Sequence, residues 1–484
     1  MDLHDESGTQ GRFRAYSADL VSVLGHADRI RPFEDYCIGL LTAEGRKSVE
    51  PLAAVTAPQR TAAQHQSLLH VVAQAAWSDA VVLRRVRDLV LPSITRTEPL
   101  QAWIIDDTGF PKKGSHSVGV TRQYCGQSGK RDNCQVAVSL SLATHQGSLP
   151  VAWRLYLPKD WADDPVRRGK AGVPVDVEFQ TKPEIALQQM RQALRDGLPP
   201  AVALMDPAYG NDSKLRAGMT ELGLPYAVGI LPATTVWRPG EAPLPPARKS
   251  WRGRPTKSVR RTATHQPVSV KALALELADG AWQQIEWREG SNAPLASRFA
   301  RLRVRPAGND TKRSEPAPEE WLLIEWPDGE AQPNHYWLAT LPADIAFERM
   351  IDLTKLRWRI ERDYLELKQE LGLGHYEGRG WRGFHHHASL CIAAYGFLVS
   401  EREAFPPSGP ARTRAGRRLG VPAGNRQRGS PVALTTAYTE LNHNLTYPTR
   451  THFDPTLAKM PMLRLGTLET HRTSSDAVGL SGWV

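Results

Sequence analysis

The chain has 484 residues, 41% of them hydrophobic, and its 61 Lys and Arg outnumber its 51 Asp and Glu by ten, for a pI of about 9.4. That length exceeds one simple core and predicts two or three domains. The basic excess favours a polyanionic partner such as nucleic acid. Cys37, Cys125, Cys134 and Cys391 form no Cys-x-x-Cys pair, which argues against a disulfide framework or structural zinc and fits a reducing cytoplasm. The polar start MDLHDESGTQGRF lacks an apolar signal core, and no run of about 18 apolar residues offers a membrane span.

Residues 11 to about 97 read as helices. Tyr16, Leu20, Val23 and Leu24 recur at helical spacing, as do Phe33, Tyr36, Cys37, Leu40 and Leu41. A third pattern covers Ala63 to Ala75, and a fourth, opened by the cap candidate Ser78, runs through Val81, Val82, Val86, Leu89 and Val90. Arg46, Lys47, Arg60, Arg84, Arg85 and Arg87 punctuate it. This basic helical domain, 1–98, either binds DNA ends or packs on its neighbour as a plain bundle.

Strand patterns follow. Ala102–Ile105 is a short apolar run ending in Asp106-Asp107-Thr108. Val136 to Leu142 and Val151 to Leu155 alternate as half-buried strands around a hairpin at His145–Ser148. A helix opens with the capping box Thr181-x-x-Glu184 and stops at Gly197. Ala201–Met205 is a buried strand ending at Asp206, followed by a helix near 212–222 and a strand near 225–230. A meander followed by helix, strand, helix and strand indicates an α/β domain with a mixed sheet. Residues 231–345 are rich in Pro, Trp and Arg, with strand-like pieces at Trp282–Trp287, Phe299–Val304, Trp321–Trp326 and Tyr336–Leu341. They read as a β-rich insertion.

Next, a single helix is predicted from about Leu353 to Leu371. It carries Arg357, Glu361, Tyr364 and Lys368 on one face and Leu353, Leu356, Ile360 and Leu367 on the other. An apolar helix from about His386 to Glu401 follows. Phe405–Ser430 has six arginines between Arg412 and Arg428 and reads as a basic linker, and the remaining tail shows no periodicity.

Three acidic sites stand out: Asp106 or Asp107 at one strand end, Asp206 at another, and Glu361 on a late helix. Open α/β folds place their sites at such strand ends. Carboxylates gathered there need a cation, and hard oxygen donors suit Mg²⁺ or Mn²⁺. Two such ions support phosphoryl transfer. Adjacent strand residues face opposite ways, so only one of Asp106 and Asp107 can point at the metals.

IIDDTGFPKKG, LMDPAYG and LRWRIERDYLELKQELG resemble the catalytic segments of DDE transposases from bacterial insertion sequences. More narrowly they are similar to the branch with a Tyr-x2-Arg-x3-Glu-x6-Lys signature, here Thr354, Arg357, Glu361 and Lys368. Threonine at the tyrosine position is a departure, and it leaves any stacking or phosphate contact of that tyrosine unassigned. The resemblance implies an α/β fold with an RNase H-like mixed-sheet core in two parts, 99–230 and 346–403. The helical domain 1–98, the β-rich insertion 231–345 and a linker and tail, 404–484, complete the chain.

The resemblance further implies an acidic triad with two divalent ions, Mg²⁺ or Mn²⁺. Asp206 and Glu361 carry over directly, and Asp-x-Thr spacing selects Asp106 as the third metal ligand. The implied activity is cleavage of transposon end repeats and joining of the freed 3′-hydroxyls to target DNA, by a homodimer in a synaptic complex associated with the nucleoid. Arg357 and Lys368 become phosphate contacts, with Lys112, Lys113 and, more weakly, Arg122 as further DNA contacts or solvated turn residues. A defective or repurposed transposase that only binds DNA is the alternative, motivated by the atypical tail. A glycosidase-like carboxylate pair fits the basic surroundings poorly.

Other features are less specific. Arg252-Gly-Arg254-Pro255, with Lys257, Arg260 and Arg261, suggests phosphate contact or a minor-groove hook. His385-His386-His387 places side chains about 100° apart on a helix, a poor metal face, and reads instead as a helix start near DNA or the core. Trp282, Trp287, Trp321, Trp326 and Trp337 read as insertion core, although an insertion aromatic can stack on a displaced base in related enzymes.

Overall fold

A computed structural model describes residues 8–247, 257–288 and 295–406. Arg252, Arg254, the arginine run 412–428 and the tail lie outside the described residues.

The N-terminal helices form as expected: α1 (Thr9–Val21), α2 (Ile30–Thr42), α3 (Val49–Thr56), α4 (Thr61–Ala73) and α5 (Asp79–Ile94). Ser78 caps α5 by accepting from the Val81 amide. Next come β1 (Ala102–Pro111), β2 (Thr121–Cys125), β3 (Lys130–Ala143) and β4 (Ser148–Leu155). Two short helices, α6 (Lys159–Ala162) and α7 (Pro165–Ala171), lead to α8 (Lys182–Arg195), which has the expected Thr181/Glu184 capping box. The core continues with β5 (Val202–Met205), α9 (Pro207–Gly210), α10 (Ser213–Glu221) and β6 (Tyr226–Ile230). The Pro- and Trp-rich region supplies β7 (Thr235–Trp237), β8 (Val268–Ser269), α11 (Val270–Leu275), β9 (Gln283–Arg288), β10 (Leu295–Pro306), β11 (Glu320–Pro327) and β12 (His335–Ala339). The described chain closes with α12 (Phe347–Lys355), α13 (Trp358–Gln369) and α14 (Trp381–Ala404).

The fold is mixed α/β around one 12-stranded sheet. β1 runs antiparallel to β3 and parallel to β5, and β5 runs parallel to β6. Long β3 also pairs β2 through its first half and β4 through its second. Beyond β6 the sheet continues through β12, β11 and β10 to β7 and β8, with β9 on the flank of β10. The strands of the 231–345 region thus extend the core sheet without a break.

Each face of β1 has its own core, because successive side chains alternate. Ala102 and Ile104 belong to the large cluster with the N-terminal helices, α13 and α14. Trp103 and Ile105 belong to a second cluster with Ile185 and Met190 of α8 and Leu215 and Met219 of α10. α14 is buried nearly all round, from Gly383 through Val399. The N-terminal helices wrap it, and the Tyr16 hydroxyl donates to the Ala393 carbonyl.

Two expectations need correction. β1 does not stop near Ile105: its ladder with β3 runs on to Pro111 opposite Cys134. The single helix expected over 353–371 is two, because the backbone tightens to three-residue hydrogen bonds at Leu356, Arg359 and Ile360. Leu353, Leu356, Ile360 and Leu367 are all buried as expected. Tyr364, on the face with Glu361 and Lys368, is buried against Ser139.

Candidate functional site

The parallel register sets the site. β1 and β5 pair only over Ala102–Ile104 and Val202–Leu204. Asp106, still within β1, and Asp206, just past the end of β5, each stand two residues beyond that pairing and so lie side by side where the parallel ladder stops.

Asp106 keeps the parity of Ala102 and Ile104 and faces α13. Its carboxylate accepts from Arg357 at 2.9 Å. The other arm of the same guanidinium donates to Glu361 at 2.5 Å. One planar cation thus spans two of the acidic sites singled out in the sequence. Burial pushes the Asp106 carboxyl up to about 7; Arg357 opposes the shift, and Asp206 and Asp107 add to it. Asp206 is also raised, first by burial, with Arg357 again opposing and Asp107 reinforcing. Arg357 itself is held more firmly protonated: burial disfavours its charge, but Asp106, Glu361 and Asp206 outweigh it.

Asp206 is fixed from its own side. Its carboxylate caps α9, accepting from the amides of Ala208 at 3.0 Å and Tyr209 at 3.3 Å. That short helix lies flush on β6 because Gly210 has no side chain. A Cβ there would sit 2.0 Å from the Gly229 carbonyl oxygen.

Asp107 keeps the parity of Trp103 and Ile105 and faces away from Arg357. Its Oδ2 accepts from Lys182 at 2.7 Å and from the Tyr209 hydroxyl at 2.9 Å.

The expected phosphate-binding cations are placed less uniformly. Lys368 reaches the outer end of β1, donating to the Gly109 carbonyl at 2.9 Å and to Gln127 at 3.1 Å. Burial lowers it to about 8. Lys112 donates to the Tyr376 carbonyl at 2.8 Å, and Lys113 and Arg122 are exposed. Thr354, at the position of the signature tyrosine, is buried and bonded to the Met350 carbonyl.

Behind α13 lies a network that the sequence reading missed. Asp363 is fully buried, accepts from Ser148 at 2.6 Å and lies 3.0 Å from the Tyr395 hydroxyl. Glu366 pairs with Arg362 at 2.8 Å and Arg402 at 2.9 Å. These contacts fix the helix that carries Glu361. The signal lies in contacts between remote segments, which no local pattern reports.

His385, His386 and His387 are core residues. His386 stacks on Trp77 at 3.6 Å, and His387 lies between the Tyr36 hydroxyl and the Gly372 carbonyl. Cys125 and Cys134 are buried free thiols. Trp287 and Trp337 surround the Lys355 ammonium at 4.2 and 5.3 Å, so these two insertion aromatics hold α12 to the sheet.

A mixed sheet with carboxylates at the lip of its parallel strands is the scaffold here, and comparison with known proteins gives it a family. Residues 19–294 match the model of the DDE superfamily endonucleases, more than half of the sequence, and the chain belongs to that family. The match contains Asp106, Asp107 and Asp206 and ends before Glu361.

A probable transposase for insertion sequence element IS701, from Microchaete diplosiphon, is 30% identical over 205 residues, 42% of this chain. The chain spans 50% of that relative's length. A cryo-EM structure of the piggyBac transposase synaptic complex with hairpin DNA aligns with a TM-score of 0.36 and 10% identity. It covers 88% of this chain and 74% of that one, a likeness too distant to bear on the site.

Proposed function

We propose that the chain is a transposase that cuts DNA at insertion-sequence ends and joins them to a target through Asp106, Asp206 and Glu361. The observation that carries this reading is the Arg357 guanidinium, which binds Asp106 and Glu361 together while Asp206 adds its charge to the same locus. The antiparallel meander followed by two parallel strands supports an RNase H-like core.

Among the described residues, no set of three His, Cys, Asp or Glu side chains is spaced to hold a metal ion directly. The donor chemistry nevertheless fits a hard divalent cation: Asp106 and Asp206 are carboxylate oxygen donors raised first by burial, with neighbouring carboxylates adding to the shift, so a cation there would favour their charged forms. A pair of Mg²⁺ or Mn²⁺ ions held by Asp106, Asp206 and Glu361 would supply Lewis-acid stabilisation for phosphoryl transfer. Arg357 holds Asp106 and Glu361 side by side through the two arms of its guanidinium. Lys368, near the outer end of β1, offers positive charge to the phosphate backbone, joined by Lys112, Lys113 and the arginines of the 252–254 segment. Action on two ends calls for a homodimer on DNA.

The test is nicking of a supercoiled plasmid carrying the DNA that flanks the gene, with Mg²⁺ or Mn²⁺. Asp206→Ala and Glu361→Ala abolish nicking on this account; nicking that persists at the wild-type rate in either variant refutes it.

A further inference from the structure

Asp107, the carboxylate next to the proposed metal ligand Asp106, has its own cation. Lys182 donates to it at 2.7 Å, and the Tyr209 hydroxyl approaches the same oxygen at 2.9 Å. Neither residue figures in the reaction proposed above. Lys182 is the first residue of α8, whose start is fixed by the Thr181/Glu184 capping box and whose body is packed into the second core cluster. Glu184, next on that turn, is directed back to Thr181 and does not compete for the ammonium. Tyr209 is buried, and its amide donates to Asp206. The Asp107 anchor is thus continuous with the cap that holds Asp206.

An ammonium has three N–H donors. Asp107 takes one, and the Lys182 side chain keeps 30% of its surface open. We infer that Lys182 binds a DNA backbone phosphate beside the carboxylate site, on the face of β1 opposite Arg357, and that Asp107 is its positioning residue. Two cations then bracket the reacting strand. Arg357 faces Asp106 on the α13 side, and Lys182 faces Asp107 on the α8 side. Because α8 is a fixed element, Lys182 is aligned before DNA arrives. The inference rests on the endonuclease reading, since it supposes that DNA crosses this sheet edge.

The test is fluorescence anisotropy over a salt series, using labelled duplexes carrying the DNA that flanks the gene. Each phosphate contact contributes about one unit to the slope of log affinity against log salt. Lys182→Ala is expected to weaken binding and to make that slope shallower by about one, while Lys182→Arg keeps the slope. In an Asp107→Asn background the same alanine substitution changes the slope by less, because the two residues act as a unit. An unchanged slope in Lys182→Ala overturns the inference. So does a full effect of Lys182→Ala when Asp107 is already Asn, or weak binding by the alanine and arginine variants alike at the wild-type slope, which marks a packing role.

Mn²⁺-dependent nicking by Asp106→Asn and Asp206→Asn separates the two readings. If both variants still nick, the endonuclease site is misassigned. If both are inactive and Lys182→Ala keeps the wild-type slope, only the Lys182 assignment falls.

Discussion

Gly210→Ala is a sharp test of how packing holds Asp206 in place. The added Cβ would stand 2.0 Å from the Gly229 carbonyl oxygen and 2.9 Å from the Val228 Cβ. The first obstacle is backbone in the middle of a buried sheet, so it cannot rotate aside. Reaching a C···O separation of about 3.3 Å moves α9 outward by roughly 1 Å or more. Overpacking of this kind costs about 1–3 kcal/mol, and a displacement of about 1 Å at a catalytic group costs on the order of 100-fold in rate.

Gly218→Ala is the matched control. Its Cβ would meet the Leu187 side chain, with the methyls at 2.6 and 2.9 Å, and these can turn away. Gly218 lies inside α10 and gains helix propensity of about 1 kcal/mol on substitution, whereas Gly210 closes the four-residue α9 and gains less, so the nicking rate is the readout that reports the clash most directly. Thermal unfolding and Mn²⁺-dependent nicking of a supercoiled plasmid provide the readout. Gly210→Ala melts several degrees lower and nicks far more slowly than Gly218→Ala. Equal melting and equal nicking in the two variants refute the reasoning.

Further outcomes follow from the charges. Arg357→Lys does not restore what Arg357→Ala loses in the nicking assay, because one ammonium cannot span Asp106 and Glu361 as the planar fork does; full activity in the lysine variant contradicts this. His386 and His387 are each lowered to about 4, chiefly by burial. The unfolded chain therefore takes up protons that the folded one refuses, and stability falls as pH drops from about 6.5 toward 4, by up to about 3 kcal/mol per group. His386→Gln flattens that acid limb in denaturant titrations, and an unchanged limb argues against neutral core histidines.

His145 is the opposite case. Bonds to Asp352 and Glu98 raise it to about 9. Its contribution is complete below about pH 6.5 and is lost as pH rises through about 9. His145→Gln removes this alkaline loss, and a wild-type alkaline profile in the variant excludes it.

Much of the site could be read from residue order, because strand ends and helix faces follow local periodicity. Asp206 follows an apolar strand and caps the short helix that starts at Pro207, and the pairing of Arg357 with Glu361 survives the helix break at Arg357. The choice between Asp106 and Asp107 depends on which face of β1 meets α13. Alternation along Ala102-Trp103-Ile104-Ile105 guarantees that the two aspartates part, but only the packed helices tell which face is which. The Lys182–Asp107 pair was invisible because its members lie 75 positions apart and the local role of Lys182, the first position of a capped helix, is ordinary. The extension of the sheet through β12, β11 and β10 was hidden for a similar reason: strand pairing between distant segments leaves no mark on either segment alone. The burial of Tyr364 was not legible because helical spacing assigns a face but not the depth to which that face is buried.

The most direct measurement is anomalous scattering from crystals grown with duplex DNA and Mn²⁺. The account predicts density bonded to Asp106 and Asp206 with Glu361 alongside, and none at Asp107. A metal peak on Asp107, or none among the three acidic residues, contradicts it.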